Sequence, residues 1–191
     1  MSRILFLKKV RMGFPALAEP KGIGEGSPAY GCRLIVDPAD NNVKLLDNAI
    51  REVAEEQWKK DADGILAKLI EDNKVCFSKR EYRDKQGKVY AGFEGKYHLG
   101  ARNGKEQPTC VDRFGGEITK KSDIERILYS GCMVNAKVEI WAQDNQYGRR
   151  INCTLLGVMF AADGESFGGG AGRASADDFA GMVEDSAEDL V

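Results

Sequence analysis

Alternation of apolar and polar residues is cleanest late in the chain. Over Cys132–Gln143, Val134, Ala136, Val138 and Ile140 fall on one face, and Asn135, Lys137, Glu139 and Trp141 on the other. That two-residue period belongs to a half-buried strand. Residues 144–148, Asp-Asn-Gln-Tyr-Gly, have hairpin-loop chemistry, and Arg150–Phe160 reads as the returning partner strand. At the other end, residues 3–12 (Arg-Ile-Leu-Phe-Leu-Lys-Lys-Val-Arg-Met) predict a first strand, followed by a loop carrying Pro15, Pro20, Gly22, Gly24, Gly26 and Pro28. Tyr30–Val36 predicts a second strand, stopped by Asp37-Pro38.

The period then changes. Val43, Leu46, Ile50, Val53, Ala54 and Trp58 share a helical face, with Arg51, Glu52, Glu55, Glu56 and Lys59 opposite, so 41–60 predicts an amphipathic helix capped by Asp40 or Asn41. A short second helix is expected over 63–72, after the Asp-Ala-Asp-Gly break. Strands return at Lys96–Arg102 and Thr109–Val111, and Asp123–Leu128 predicts a helical turn. Helices concentrated in one insertion do not suit a doubly wound parallel sheet. The expected fold is mainly β: a five-stranded OB-type barrel with a helical insertion at about 41–72 and a disordered acidic C-terminal tail. Residues 1–163 form the barrel domain, 164–173 a Gly-rich linker and 174–191 the tail.

Composition sharpens this division. The 191 residues suffice for one domain, and 42% hydrophobic content with 8% aromatics builds a core. A formal charge of −2 conceals a basic body, with 27 bases and 22 acids in residues 1–160, and a last segment (161–191) with eight acids and one base. The body is therefore +5 and the segment −7, which points the body toward a polyanion and the tail toward competing with it. No apolar run could span a bilayer, and Lys8, Lys9 and Arg11 interrupt any signal-peptide core, so a cytoplasmic protein is expected. Five cysteines without a Cys-x-x-Cys pair predict free thiols in a reducing compartment.

Enzymatic motifs are poor. His98 stands mid-strand without a nearby cysteine or carboxylate and reads as structural. Gly22-Ile-Gly-Glu-Gly26 lacks the spacing and the following helix of a dinucleotide loop. Asp37, Asp112 and Asp144 leave a metal-dependent nuclease or recombinase as a rival, though no spacing selects it. No catalytic residue, cofactor or metal is expected.

The positive signal is 74–105, where nine bases face three acids and five aromatics are interleaved. Cations neutralise phosphates while flat rings stack on unpaired bases, which is what a single-stranded nucleic-acid surface requires. The stacking candidates are Phe77, Tyr82, Tyr90, Phe93 and Tyr97, with Trp141 from the last hairpin. The phosphate candidates are Lys79, Arg80, Arg83, Lys85, Lys88, Lys96, Arg102 and Lys105, extended by Lys137, Arg149 and Arg150 and by the path Lys8, Lys9 and Arg11. In the tail, Asp177, Asp178, Phe179, Glu184, Asp185, Glu188 and Asp189 can mimic a polynucleotide or recruit a partner. A linker of about 13–20 residues reaches roughly 20–25 Å, enough to cross a small barrel's face.

Val10–Leu17, Ala29–Ile35, Pro108–Asp112 with Ile118-Thr119, the block Tyr129-Ser-Gly-Cys-Met-Val-Asn-Ala136, the hairpin to Gly148 and Leu156-Gly-Val together carry a likeness. The chain resembles the phage-encoded single-stranded DNA-binding proteins of the OB-fold type, a group formerly catalogued as a domain of unknown function. The resemblance implies non-sequence-specific binding of single strands in phage DNA replication or recombination, within a bacterial host's cytoplasm. By a looser similarity, the acidic tail recruits replication or recombination proteins. An OB-type RNA-binding or protein-interaction module is the remaining alternative, and the residues do not fix an oligomeric state.

Overall fold

The computed structural model describes residues 1–22 and 27–167. In chain order its elements are β1 (Ser2–Lys21), β2 (Ala29–Val36), α1 (Asn41–Trp58), a 3₁₀ turn (Lys59–Asp61), α2 (Ala62–Glu71), β3 (Phe77–Ser78), β4 (Tyr97–Asn103), β5 (Thr109–Val111), α3 (Lys121–Ile127), β6 (Met133–Asn145) and β7 (Gly148–Ala162). The first half of β1 pairs antiparallel with β6 and its second half with β2; β2 pairs with β4, and β6 with β7. A parallel pairing of Arg102 with Thr154 joins β4 to β7 and closes the ring. The result is the five-stranded OB-type barrel, with β3 added beside β4 and β5 beside β7.

The inner face is the one the alternation predicts: Val134, Ala136, Val138 and Ile140 are buried together with Leu7, Met12, Leu34, Leu99 and Leu155. Cys32, Cys110, Cys132 and Cys153 are buried, Cys76 is half-buried, and all five are free thiols. Burial pushes the Cys32 and Cys132 thiols up to about 12, so they behave as small apolar groups. Among the described residues, no helix is long and apolar enough to cross a membrane.

The insertion follows its helical period closely. Asp40 caps α1 by accepting from the Asn42 N–H at 2.8 Å. Leu46, Ile50, Val53, Ala54 and Trp58 pack into the barrel core. Asn42 is buried as well, because its amide donates to the Lys8 carbonyl at 3.0 Å where β1 slips register between Leu7 and Val10. Asn135 serves the same break from β6, accepting from the Lys9 N–H at 2.9 Å. Polar side chains thus replace the ladder bonds that the irregularity removes.

The first strand departs from expectation. Pairing continues through the Gly/Pro-rich stretch to Lys21, so β1 runs far past residue 12. Register shifts after Gly13 and after Ala16 make room for Pro15 and Pro20, which cannot donate to a regular ladder. The linker expected from Gly164 also begins differently. Gly164–Phe167 lie against the body: the Gly164 N–H donates to the Tyr129 hydroxyl at 3.1 Å, and the Phe167 N–H to the Ser130 carbonyl at 3.1 Å. The remainder of the linker and the acidic tail lie outside the described residues.

Candidate nucleic-acid interface

Alternation along β2 turns Cys32, Leu34 and Val36 into the barrel, leaving Arg33 and Ile35 on the outer face. Their cross-strand partners on β4, Gly100 and His98, share that face. Residues 79–96 then fold over it as a compact excursion. A hairpin forms around the Arg83–Val89 bridge, with the Tyr90 N–H donating to the Tyr82 carbonyl at 3.0 Å. The Asp84 carboxylate closes its turn by accepting from the Gln86 and Lys88 N–H groups, both at 2.9 Å.

Because Tyr82 and Tyr90 are opposite each other in this hairpin, their rings stack at 5.0 Å with planes 25° apart. Phe14, on β1 with φ of +50°, meets both: edge-on to Tyr90 at 4.9 Å and to Tyr82 at 5.8 Å. Phe93 lies completely buried beneath them, 5.4 Å from Tyr82, on the outer side of the sheet and apart from the barrel core. The Arg33 guanidinium sits over the Tyr82 ring at 4.4 Å, which supports the ring and places a cation beside it. His98 closes the floor, 5.0 Å from Tyr82 and 3.4 Å from Arg33. Burial, with Arg33's charge adding to it, lowers His98 from 6.5 to about 4, so a neutral imidazole stands there near pH 7.

Of the six stacking candidates, Tyr82 and Tyr90 therefore come together as a partly exposed platform. Phe93 is corrected to the supporting layer, since its ring is completely buried in the DNA-free protein. Phe77 is likewise corrected to the barrel core, where Tyr97 packs edge-on against it at 6.1 Å. Trp141 is half-buried on β6, outside the cluster, and donates from Nε1 to the Thr154 hydroxyl at 3.0 Å.

The cations form two groups. Lys79, Arg80, Arg83 and Lys96 line an open cleft of about 450 Å³ beside the hairpin, together with Glu81 and Tyr97. Lys79 is paired with Asp47 at 2.7 Å, Arg83 with Glu81, and Lys96 with Asp37. Lys85 and Lys88 are exposed at the hairpin tip, and Arg102 and Lys105 are exposed at the end of β4 and just beyond it. Lys137, Arg149 and Arg150 belong instead to the β6–β7 side, with Lys137 over Phe6 and Arg149 bound to Asp144. The tail residues Asp177, Asp178, Phe179, Glu184, Asp185, Glu188 and Asp189 lie outside the described residues. Asp37, Asp112 and Asp144 do not converge. They engage Lys96, the Phe114 and Gly116 N–H groups, and Trp58 with Arg149 respectively.

Two members of the cluster escape sequence reasoning. Phe14, between a glycine and a proline, reads as loop, yet it is 48% exposed on the platform. Arg33 is a charge in a run of buried residues, and strict alternation marks it as outward-facing.

Comparison with known proteins points the same way. The family model for the single-stranded-DNA-binding protein of Enterobacter phage Enc34 matches residues 3–191. Putative protein p50 of Acyrthosiphon pisum secondary endosymbiont phage 1 is 32% identical over 189 residues, 97% of each chain. The Enc34 protein, solved in complex with single-stranded DNA, superposes with a TM-score of 0.71 at 25% identity, over 86% of this chain and 89% of that one. The gp2.5 single-stranded-DNA-binding protein of bacteriophage T7 shares the fold, with a TM-score of 0.57 at 17% identity over all of both chains.

Proposed function

The chain belongs to the Enc34 family of phage single-stranded-DNA-binding proteins, and from that premise we propose that it coats unpaired DNA without sequence preference during phage replication or recombination. Its family acts by binding and not by catalysis. The observation that carries the proposal is the platform of Tyr82, Tyr90 and Phe14 with Arg33 across it, on the outer face of the second and third strands of the closed barrel. That is the face on which OB barrels take oligonucleotides. Rings there stack on bases of any identity, while Arg80, Arg83, Lys85, Lys88 and Arg102 neutralise the backbone that runs past them.

The acidic tail supplies the regulation. Its carboxylates compete with phosphates for these cations until DNA releases it, and the freed tail recruits replication or recombination proteins in the host cytoplasm. A glycine-rich sequence between body and tail, and seven negative charges in excess over residues 161–191, support this role.

Fluorescence anisotropy with an oligo-dT and a matched duplex tests the proposal. Four to six neutralised phosphates at about −0.7 each give roughly 50- to 300-fold weaker binding between 50 and 200 mM salt. Salt-insensitive binding, or equal affinity for duplex, overturns it. Deleting residues 174–191 should tighten binding and alter the salt slope; unchanged affinity removes the competitive role of the tail.

A further inference from the structure

The surface of the block Tyr129-Ser-Gly-Cys receives the chain that follows β7. Tyr129's hydroxyl donates to the Asp163 carboxylate at 2.9 Å and accepts from the Gly164 N–H at 3.1 Å. The two backbones then cross with no room for side chains. A Cβ on Gly131, whose φ is +110°, would stand 2.1 Å from the Glu165 carbonyl oxygen, and one on Gly164 would stand 2.2 Å from the Gly131 oxygen. Arg11 holds the next residue, donating to the Glu165 carbonyl at 2.5 Å, and Ser130 accepts from the Phe167 N–H at 3.1 Å.

This strap delivers Phe167 to one place. Its ring lies with the Arg11 guanidinium 4.1 Å from its centre, and its centroid is 6.3 Å from that of Phe93. On the Gly92 side the packing is so close that a Cβ there would stand 2.0 Å from the ring. The half-buried ring is held between a cation over its face and a bare glycine against one edge, so it fills a slot. A guanidinium above, a buried aromatic alongside and a glycine wall are the surroundings that receive a flat nucleobase. The slot shares Phe93 with the Tyr82–Tyr90 platform and so continues it toward β1.

We propose that Arg11, Gly92 and Phe93 form a nucleobase slot, which Phe167 fills in the DNA-free protein and vacates when a single strand binds. The proposal rests on the single-stranded-DNA reading above and adds a subsite to it. Withdrawal of the ring also frees Arg11 from the Glu165 carbonyl to meet a phosphate. This competitor is uncharged, which separates it from the acidic tail.

The test is oligo-dT affinity of the full chain and of Phe167→Ala across a salt series. If the ring fills the slot about 70–90% of the time, its removal tightens binding about three- to tenfold, since apparent affinity scales with the competent fraction. The gain should be the same at every salt concentration, because no counterion is involved. Hydrogen exchange in the unaltered protein gives a second readout: the Phe167 amide should exchange faster once oligo-dT is bound. Weaker binding by Phe167→Ala, equal binding, a gain that vanishes at high salt, or an amide that exchanges no faster with DNA bound each overturns the slot. Failure of both proteins to bind DNA overturns the functional reading itself.

Discussion

Arg33 and Gly100 are cross-strand partners, and the guanidinium of one lies over the bare backbone of the other. A Cβ at position 100 would stand 2.7 Å from Arg33 Nη1. The obstructed atom is the far end of a flexible side chain, so Gly100→Ala should move Arg33 off Tyr82 and leave the ladder in place. A cation–π contact contributes roughly 0.5–1 kcal/mol at an exposed site, with more where it is desolvated. The expected result is a stability loss of that order, together with weaker binding of oligo-dT because the cation no longer stands beside the platform. An unaltered affinity would show that the platform does not need its cation.

The rings above and below the sheet separate into two functions. Tyr82→Leu and Tyr90→Leu keep bulk and remove the stacking face, and each should weaken oligo-dT binding about fivefold or more, from a stacking contribution of roughly 1–3 kcal/mol. Phe77→Leu alters only the barrel core, and should lower the unfolding temperature while sparing affinity. Anisotropy and thermal unfolding on the same samples distinguish these outcomes, and a DNA-binding defect confined to Phe77→Leu would reverse the assignment.

These assignments also mark how far the sequence can be read. The β6–β7 hairpin and α1 are legible because each buries one face, so period alone places Val134–Ile140 inward and Leu46–Trp58 on the barrel. The barrel class follows, since the two longer helices are concentrated in one insertion and do not alternate with the strands. The 79–96 excursion is legible as chemistry but not as geometry. Charge and aromatic content single out Tyr82 and Tyr90, yet the same content includes Phe77 and Phe93, whose burial depends on strands distant in sequence. Phe14 is hidden by its neighbours, because a glycine and a proline suggest a loop where the strand continues through register shifts. Nothing local announces that Tyr129–Gly131 will meet Asp163–Phe167, a contact made across more than thirty residues of chain.

His98 sets a pH window for stability. Its folded value is about 4 against an ordinary 6.5, so the unfolded chain takes up a proton first as pH falls. The stabilisation is present in full above about 6.5 and is lost progressively down to about 4, where the folded imidazole also protonates. Over that window it amounts to at most about 3 kcal/mol, at 1.36 kcal/mol per unit of pKa difference. Urea unfolding between pH 4 and 7 should therefore show falling stability on acidification, and His98→Gln should remove the part between about 4 and 6.5. Parallel curves for the two proteins would mean that the imidazole is not held neutral by the fold.

The helical insertion is tied to the β6–β7 hairpin by one carboxylate. Trp58, at the end of α1 and buried, donates from Nε1 to Asp144 Oδ2 at 2.8 Å, and Arg149 donates to the same oxygen at 3.1 Å. The two bonds are unequal in consequence. Arg149 is half exposed and regains water when the pair is lost, so that ion pair contributes little. The indole N–H has no such recourse, and leaving it without an acceptor costs roughly 1–3 kcal/mol. Asp144→Ala should thus lower the melting temperature by about 2–4 °C for each kcal/mol lost, as expected for a domain of this size. Asp144→Asn keeps an oxygen for Trp58 and should melt close to the unaltered protein. If the asparagine variant is as damaged as the alanine one, the charge and not the indole bond accounts for what Asp144 contributes.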